Sequence, residues 1–283
     1  AASLLSDQTI VVDDSSTAAN TTQINQIQTK MVSNGGNGSV TYTKLTDSAS
    51  NLDTNKDDII AGVAVTIDDT NNTAATVAEL NDLQTAVSDA GGGASLTYAK
   101  LRDSSANIRA NVDANNAITD VEGIAVTVTT TSDASQFAAI LTAATANQAN
   151  GTVAGAVSDA VGSLTNVTLT GATSVTAVIT DGTKDLTGTT LDSEVTILDL
   201  ATNQVQGAIF DVSDINGRTI LDTNATFTVK DSATTLAANT SLINGKAVVI
   251  DDTNNTAATV SELNAIQAVA SSVTYTKLRD SSA

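Results

Sequence analysis

Cysteine, histidine, proline and tryptophan do not occur in this 283-residue chain. Without cysteine no disulfide can form, so the cellular compartment cannot be inferred from thiols. Without histidine or cysteine, Ser-His-Asp and Cys-His nucleophilic sites are excluded, as is zinc held by those ligands. The glycine-rich motifs GxxxxGK[ST] and GxGxxG, which hold nucleotide phosphates, are also missing.

Aromatic residues are scarce, with three Phe and three Tyr. Aspartate is plentiful, so paired carboxylates for glycoside cleavage are conceivable, and a polysaccharide-degrading enzyme is one hypothesis. Sugar-binding sites usually use aromatic platforms, which this composition does not favour. We therefore expect the protein not to be an enzyme.

Positive charge is also scarce: 12 Lys and Arg face 31 Asp and Glu, giving a net charge of −19. Such a field repels nucleic acid and anionic lipid, so we expect no nucleic-acid partner. The apolar runs are only a few residues long, so no membrane insertion is expected. The opening AASLLSDQT lacks the pattern of a signal peptide, and we expect a mature piece or an excerpt of something longer.

What the chain has is repetition. A first phrase of the type VTIDDTNNTAATVAELNDLQ begins at Ile10, Val65 and Val248. A second phrase of the type SVTYTKLRDSS begins at Ser39, Ser95 and Ser272. The phrases alternate with a period of about 55 residues in the first third of the chain. A catalytic site is normally made once, whereas a structural unit is readily copied.

Each phrase predicts a short strand, an Asp-containing corner and an amphipathic helix. In the copy at Val65, the residues Asp68 to Thr73 are expected to accept hydrogen bonds from the start of the helix. Asp47, Asp103 and Asp231 are expected at the positive N-terminal ends of helices. Such units stack most simply with parallel strands and right-handed crossovers. The predicted fold is α/β: a right-handed βα solenoid of stacked strand-helix rungs with a parallel sheet and a more irregular β-rich middle section.

Three regions are expected along the chain. Residues 1–120 form regular strand-helix repeats, and residues 121–246 form degenerate repeats with a β-rich excursion. Residues 247–283 form a regular repeat again, which we expect to continue into a further copy or into the next subunit.

The aspartate pairs of the first phrase are candidate calcium ligands, since hard cations prefer clustered carboxylate and carbonyl oxygens. The candidate ligands are Asp13, Asp14, Asp68, Asp69, Asp251 and Asp252. The alternative is that these residues cap helices and end strands. No other cofactor is expected.

The wording V-x-[VI]-x-D-[ST]-x-x-[IL]-x-x-N, followed by a short helix, resembles repeats of giant secreted bacterial surface proteins. These are the RTX-associated, S-layer and adhesin-like proteins of cyanobacteria and proteobacteria. The stretches that carry the resemblance are DDTNNTAATVAELNDLQ, RDSSANIRANVDANN and KDSATTLAANTSLI. The resemblance implies export, self-association or adhesion, and often calcium. Calcium nonapeptides read G-G-x-G-x-D, whereas here Gly38-Ser39 continues with Val40, so those ion sites are not carried over.

The main hypothesis is a structural, non-enzymatic segment of an extracellular filament, surface layer or adhesin at the cell surface. Its expected partner is itself, joined head to tail as a homo-oligomer or filament. The alternative is a ligand- or glycan-binding module of an adhesin or phage fibre, with its site in residues 150–225.

Overall fold

A computed structural model describes residues 8–33, 37–113, 124–146, 151–159, 161–165, 167–180, 185–188 and 190–280. The fold is mixed α/β, and its sheets contain parallel strands, as the sequence predicts. The chain divides into two compact units, one of residues 1–129 and 142–153 and one of residues 130–141 and 154–283.

The first unit alternates short strands with helices. Its strands are β1 (Thr9–Val11), β2 (Ser39–Thr41), β3 (Lys44–Asp47), β4 (Ala64–Ile67), β5 (Ser95–Thr97), β6 (Lys100–Asp103) and β7 (Ala125–Val128). Its helices are α1 (Thr21–Ser33), α2 (Ala49–Thr54), α3 (Val77–Ala90) and α4 (Ser105–Asp113), with a 3-10 turn at Lys56–Asp58. The helix α5 (Ala134–Thr145) and the strand β8 (Thr152–Asp159) have residues in both units.

Three parallel sheets join the phrases of the first unit. They are β1–β2, β3–β4–β5 and β6–β7, and the last is part of a longer ladder. In the middle sheet Leu45 lies opposite Val65, and in the third Leu101 lies opposite Val126. Each helix between two such strands is therefore a crossover connection between neighbouring parallel strands.

In each second phrase the extended segment is interrupted by two residues that belong to no strand. Residues 42–43 separate β2 from β3, and residues 98–99 separate β5 from β6. We call these two-residue segments, and the equivalent residues 275–276, strand breaks. A second phrase therefore ends one sheet with its first strand and begins the next sheet with its second.

The core of the first unit follows the sequence pattern. Along β4 exposure alternates, with Val65 and Ile67 buried. The helical stripe of α3 is buried at Val77, Leu80 and Leu83. Burial of such side chains contributes about 1.5–3 kcal/mol each relative to leaving them exposed.

The second unit is richer in strand. Its strands are β9 (Ala172–Ile179), β10 (Val195–Asp199), β11 (Gln206–Phe210), β12 (Thr219–Leu221), β13 (Thr226–Asp231), β14 (Ala247–Ile250) and β15 (Ser272–Thr274). Its helices are α6 (Val161–Leu164), α7 (Val212–Ile215), α8 (Ala233–Ala238) and α9 (Val260–Gln267). Parallel pairs join β9, β10 and β12, and also β11, β13, β14 and β15.

Irregularity is found in residues 195–208 of this unit. The register shifts between Val195 and Ile197 of β10, and between Gln206 and Ala208 of β11. Gly207 has φ +73°, a conformation that residues with a Cβ rarely adopt. The neighbouring helices α6 and α7 are four residues long. These bulges lie in the part of the chain where the repeated sequence phrases are absent.

The start of α3 differs from the prediction. The helix begins at Val77, and Thr76 is its N-cap, so Asp68 and Asp69 lie outside its first turn. Thr76 and Glu79 form a capping box, and Thr259 and Glu262 form the same box before α9. The loop after the aspartate pair is long enough to place other residues at the cap.

Among the described residues, none of the helices is both long and apolar enough to cross a membrane.

Candidate functional site

The second aspartate of each pair is buried and binds the strand break of the following second phrase. These residues are Asp14, Asp69 and Asp252. The Asp69 carboxylate accepts hydrogen bonds from the Ala99 and Lys100 amides, both at 2.7 Å. Asp14 accepts from the Thr43 and Lys44 amides at 2.6 and 2.5 Å, and Asp252 accepts from the Thr276 and Lys277 amides, both at 2.6 Å. One carboxylate thus replaces the partners that the break removes from the ladder.

The first aspartate of each pair organises its own loop. The Asp13 carboxylate accepts from the Ser15 amide at 3.2 Å and from the Ser15 hydroxyl at 2.6 Å. Asp68 accepts from the Asn71 amide at 3.3 Å, and Asp251 accepts from the Thr253 amide at 3.2 Å. These are turns in which an aspartate side chain mimics a backbone carbonyl. The two members of a pair therefore have different structural roles.

A lysine accompanies each strand break. Lys100 donates from Nζ to the main-chain oxygen of Asp69 at 2.9 Å, and Lys277 donates to that of Asp252 at 3.1 Å. Lys44 reaches the main-chain oxygen of Ser15 at 3.4 Å. In two of the three copies the lysine thus reaches the main-chain oxygen of the second aspartate of the pair.

A second set of aspartates connects neighbouring phrases in the opposite direction. Asp47, at the end of β3, accepts from the Thr21 amide at 3.1 Å and from the Thr21 hydroxyl at 2.6 Å, at the start of α1. Asp103 accepts from the Val77 amide at 2.9 Å, and Asp231 accepts from the Val212 amide at 3.2 Å. Each carboxylate caps the helix that precedes it in the chain.

The other oxygen of these carboxylates serves the helix that follows. Asp47 accepts there from the Ser48 amide and the Asn51 side-chain amide, both at 2.8 Å. Asp103 accepts from the Ser104 amide at 2.6 Å, and Asp231 from the Ser232 amide at 2.7 Å. The expectation that these aspartates lie at helix N-termini is confirmed. Each one holds two successive helices together.

These hydrogen bonds lower the pKa of three of the carboxylates, Asp14, Asp47 and Asp252. The Thr43 side chain lowers the pKa of Asp14, and the Thr276 side chain lowers the pKa of Asp252. Burial acts to raise the pKa of Asp47, but the bonds from Thr21 and Asn51 outweigh it and the pKa is lowered. A lowered pKa stabilises the fold above the ordinary value near 3.8, and this contribution is lost as pH falls through the folded value.

The calcium prediction concerns carboxylate oxygens that already accept hydrogen bonds. Both oxygens of Asp14 and of Asp252 already accept bonds from N–H or O–H donors. A cation at these oxygens would compete with those donors for the lone pairs of the carboxylate. Among the described residues, acidic side chains form no group of three or more arranged to hold a metal ion. Calcium binding by the aspartate pairs stays a prediction.

The three strand breaks differ at one position, and this difference gives a test. Thr43 and Thr276 each donate a hydroxyl to the aspartate of their break, at 2.8 and 2.5 Å, whereas the middle copy has Ala99. We expect Ala99→Thr to add this bond to Asp69 and to raise the free energy of unfolding by about 1 kcal/mol. Urea denaturation measures the change, and Ala99→Val, which has the shape without the hydroxyl, is the control. Equal effects of threonine and valine would contradict this role of the hydroxyl.

A different polar cluster lies in the 150–225 stretch that the alternative hypothesis singles out. Asp214 of α7 is buried, and its Oδ2 has no hydrogen-bond partner among the described residues. Burial, and then the neighbouring charge of Asp211, raise the pKa of Asp214 to about 6. The nearby Arg218 uses its N–H groups on main-chain oxygens of Leu191, Asp192, Val195, Ser213 and Asp214, at 2.6–3.2 Å. Arg218 therefore fastens the loop before β10 to α7.

The sequence contained signals for part of this site. The order Thr-x-x-Glu at 76–79 and at 259–262 is a capping-box pattern, which marks the helix starts downstream of the aspartate pairs. No local pattern reveals that Asp69 binds residues 99–100, because the contact depends on which segments become neighbours in the fold.

Comparisons of this chain with known protein families, with curated proteins and with solved structures find no match.

Proposed function

We propose that this protein is a structural, non-enzymatic repeat segment of an extracellular filament, surface layer or adhesin. In this proposal its phrases are the rungs of a right-handed βα solenoid that provides length and rigidity. Copies of the chain associate end to end, so that the rungs of one copy are continued by the rungs of the next.

The observation that carries the proposal is the repetition of the same hydrogen bonds between successive phrases. Asp14, Asp69 and Asp252 each bind the strand break that follows. Asp47, Asp103 and Asp231 each cap the helix before them. The repeated acidic residues are thus used to join neighbouring phrases, as expected of a protein whose product is shape.

The strand pairs support the solenoid arrangement. The pairs β3–β4, β4–β5 and β14–β15 are parallel and connect consecutive phrases. Parallel neighbours joined by a helix form right-handed crossovers in nearly all proteins. A chain built in this way adds each new phrase to the edge left by the previous one.

The extracellular placement is supported by the resemblance to repeats of secreted bacterial surface proteins and by the composition. A net charge of −19 keeps a protein soluble at high density. The chain has no cysteine, so its fold does not depend on the redox state of its surroundings.

The proposal is tested by the mass and shape of the purified chain. We expect light scattering after size exclusion to find species heavier than the 28.5 kDa chain, increasing with protein concentration. Electron microscopy of the same fractions should show elongated particles of uniform width. Compact monomers at every concentration would contradict end-to-end association.

A further inference from the structure

The first copy of the first phrase has apolar residues that are less buried than their counterparts. Ile10 of β1, Val12 directly after β1 and Ile27 of α1 are half-buried. The equivalent residues of the second copy, Val65, Ile67 and Leu83, are buried, and so are those of the third copy, Val248, Ile250 and Ile266. Within the described residues, the first copy has no counterpart of what covers these positions in the other two copies.

The three side chains lie along one open groove. It has a volume of about 1090 Å³ and runs between β1 and α1, where Ile10, Val12, Ala19 and Ile27 line it. Within the described residues β1 pairs only with β2, so its other edge is open. In the second copy the corresponding edge, that of β4, is occupied by β3.

A surface that complements this groove occurs in the last copy of the second phrase. Leu278 is 49% exposed, whereas the equivalent Leu45 and Leu101 are 0% and 1% exposed. In those inner copies the leucine lies opposite a valine of the next strand, Val65 of β4 or Val126 of β7. Residues 277–280 thus present a strand edge with an exposed leucine, to which no described strand is added.

This edge already has the backbone arrangement of its inner counterparts. The Arg279 amide donates to the Ala258 oxygen at 2.7 Å, and Leu278 forms a parallel bridge to Ala258. The Arg102 amide donates to the Ala75 oxygen at 2.8 Å in the same way, and Leu101 bridges to Ala75. Little ordering is therefore needed before another strand can pair with residues 277–280.

We propose that residues 277–280 of one copy add as a parallel strand to the open edge of β1 of a second copy, with Leu278 seated in the groove opposite Ile10. This inference rests on the proposed end-to-end association and specifies its surface and register. The register follows the inner junctions, where Leu45 lies opposite Val65 and Leu101 opposite Val126. It places Arg279 opposite Val11.

A second copy is the occupant that both surfaces fit. The strand that normally covers Leu45 belongs to a first phrase, and the chain carries a first phrase with an open edge at β1. The two surfaces are different, so each copy uses one for each neighbour. Such a heterologous contact does not close on itself unless the rotation forms a ring, and it otherwise builds filaments.

The register is tested by cysteine cross-linking, since the chain has no cysteine of its own. Val11 and Arg279 are exposed, so Val11→Cys with Arg279→Cys leaves the apolar core unchanged. Under mild oxidation we expect this double variant to form a ladder of covalent multimers on a non-reducing gel. The out-of-register control, Thr9→Cys with Arg279→Cys, should form at least about tenfold less, because two residues of displacement along a strand add about 7 Å.

A second test of the proposed contact introduces a charge into the groove. We expect Ile10→Asp to weaken assembly by more than about tenfold in the concentration required, as light scattering measures, because it introduces an unpaired carboxylate into the apolar contact. Val32→Asp is the matched control, because Val32 is an exposed apolar residue of α1 outside the groove, and this variant should assemble normally. Thermal unfolding of both variants checks that the fold is retained.

The outcomes separate this inference from the proposal it rests on. Assembly of the wild-type chain without in-register cross-linking, or equal assembly of the two aspartate variants, overturns the proposed contact and leaves end-to-end association standing. Failure of the wild-type chain to assemble overturns both. If Ile10→Asp fails to fold, the cross-linking ladder alone decides the register.

Discussion

Asp69→Ala is expected to lower the free energy of unfolding of the first unit by about 2–3 kcal/mol. The substitution removes two charge-assisted hydrogen bonds, both 2.7 Å long, to the Ala99 and Lys100 amides. Ala99 lies in the strand break and Lys100 is the first residue of β6, so the carboxylate binds the chain where β6 begins. Urea denaturation followed by circular dichroism measures the loss.

Asp68→Ala is the matched control, because it removes the adjacent carboxylate of the same pair. The Asp68 carboxylate accepts hydrogen bonds from Asn71 of its own loop, so its loss should cost much less. Asp69→Asn keeps one acceptor oxygen and should fall between the two. Similar losses for Asp68→Ala and Asp69→Ala would contradict the division of roles within the pair.

The second large effect concerns Asp214 and pH. Its pKa is raised to about 6 by burial and by Asp211, so the ionised carboxylate is unfavourable in the folded state. A group of this kind stabilises the fold below its unfolded value near 3.8, and that contribution is lost as pH rises through the folded value. The difference between these values corresponds to about 3 kcal/mol at pH 7. Asp214→Asn should therefore make the protein more stable at pH 7 and have little effect at pH 3.5.

The measurement is the difference in unfolding free energy between wild type and Asp214→Asn at pH values from 3.5 to 8. We expect the difference to develop between pH 4 and pH 6 and to stay constant above pH 7. Asp13→Asn is the control, since hydrogen bonds from Ser15 lower the pKa of Asp13 and it remains charged through this window. A pH-independent effect of Asp214→Asn would show that its carboxyl titrates normally.

Much of the fold could be predicted from repetition and periodicity. The β-branched pattern of β4 and the helical stripe at Val77, Leu80 and Leu83 gave the correct buried faces. Repeated strand-helix wording gave parallel pairing, because a helix between two strands is long enough to return the chain to the same end of a sheet. The broken strand of the second phrase was not predicted, since Tyr42 and Thr43 continue the β-favouring pattern without interruption.

The role of the aspartate pairs could be predicted only in part. Two adjacent aspartates suggested either helix caps or ion ligands. A cap is a local contact, and an ion site requires several acidic side chains close together. The actual partners of Asp69 are 30 and 31 residues away, so they become apparent only when successive phrases are placed side by side. Asp214 carried no sequence signal, because its raised pKa comes first from burial in the packing around α7 and only then from the charge of Asp211.

The most direct measurement of the central claim is amide hydrogen exchange at Ala99 and Lys100 under native conditions. If the Asp69 carboxylate holds the next phrase in place, both amides are protected in the wild-type protein, exchange rapidly in Asp69→Ala and stay protected in Asp68→Ala. Unchanged protection in Asp69→Ala would contradict the claim that the duplicated aspartates join successive phrases.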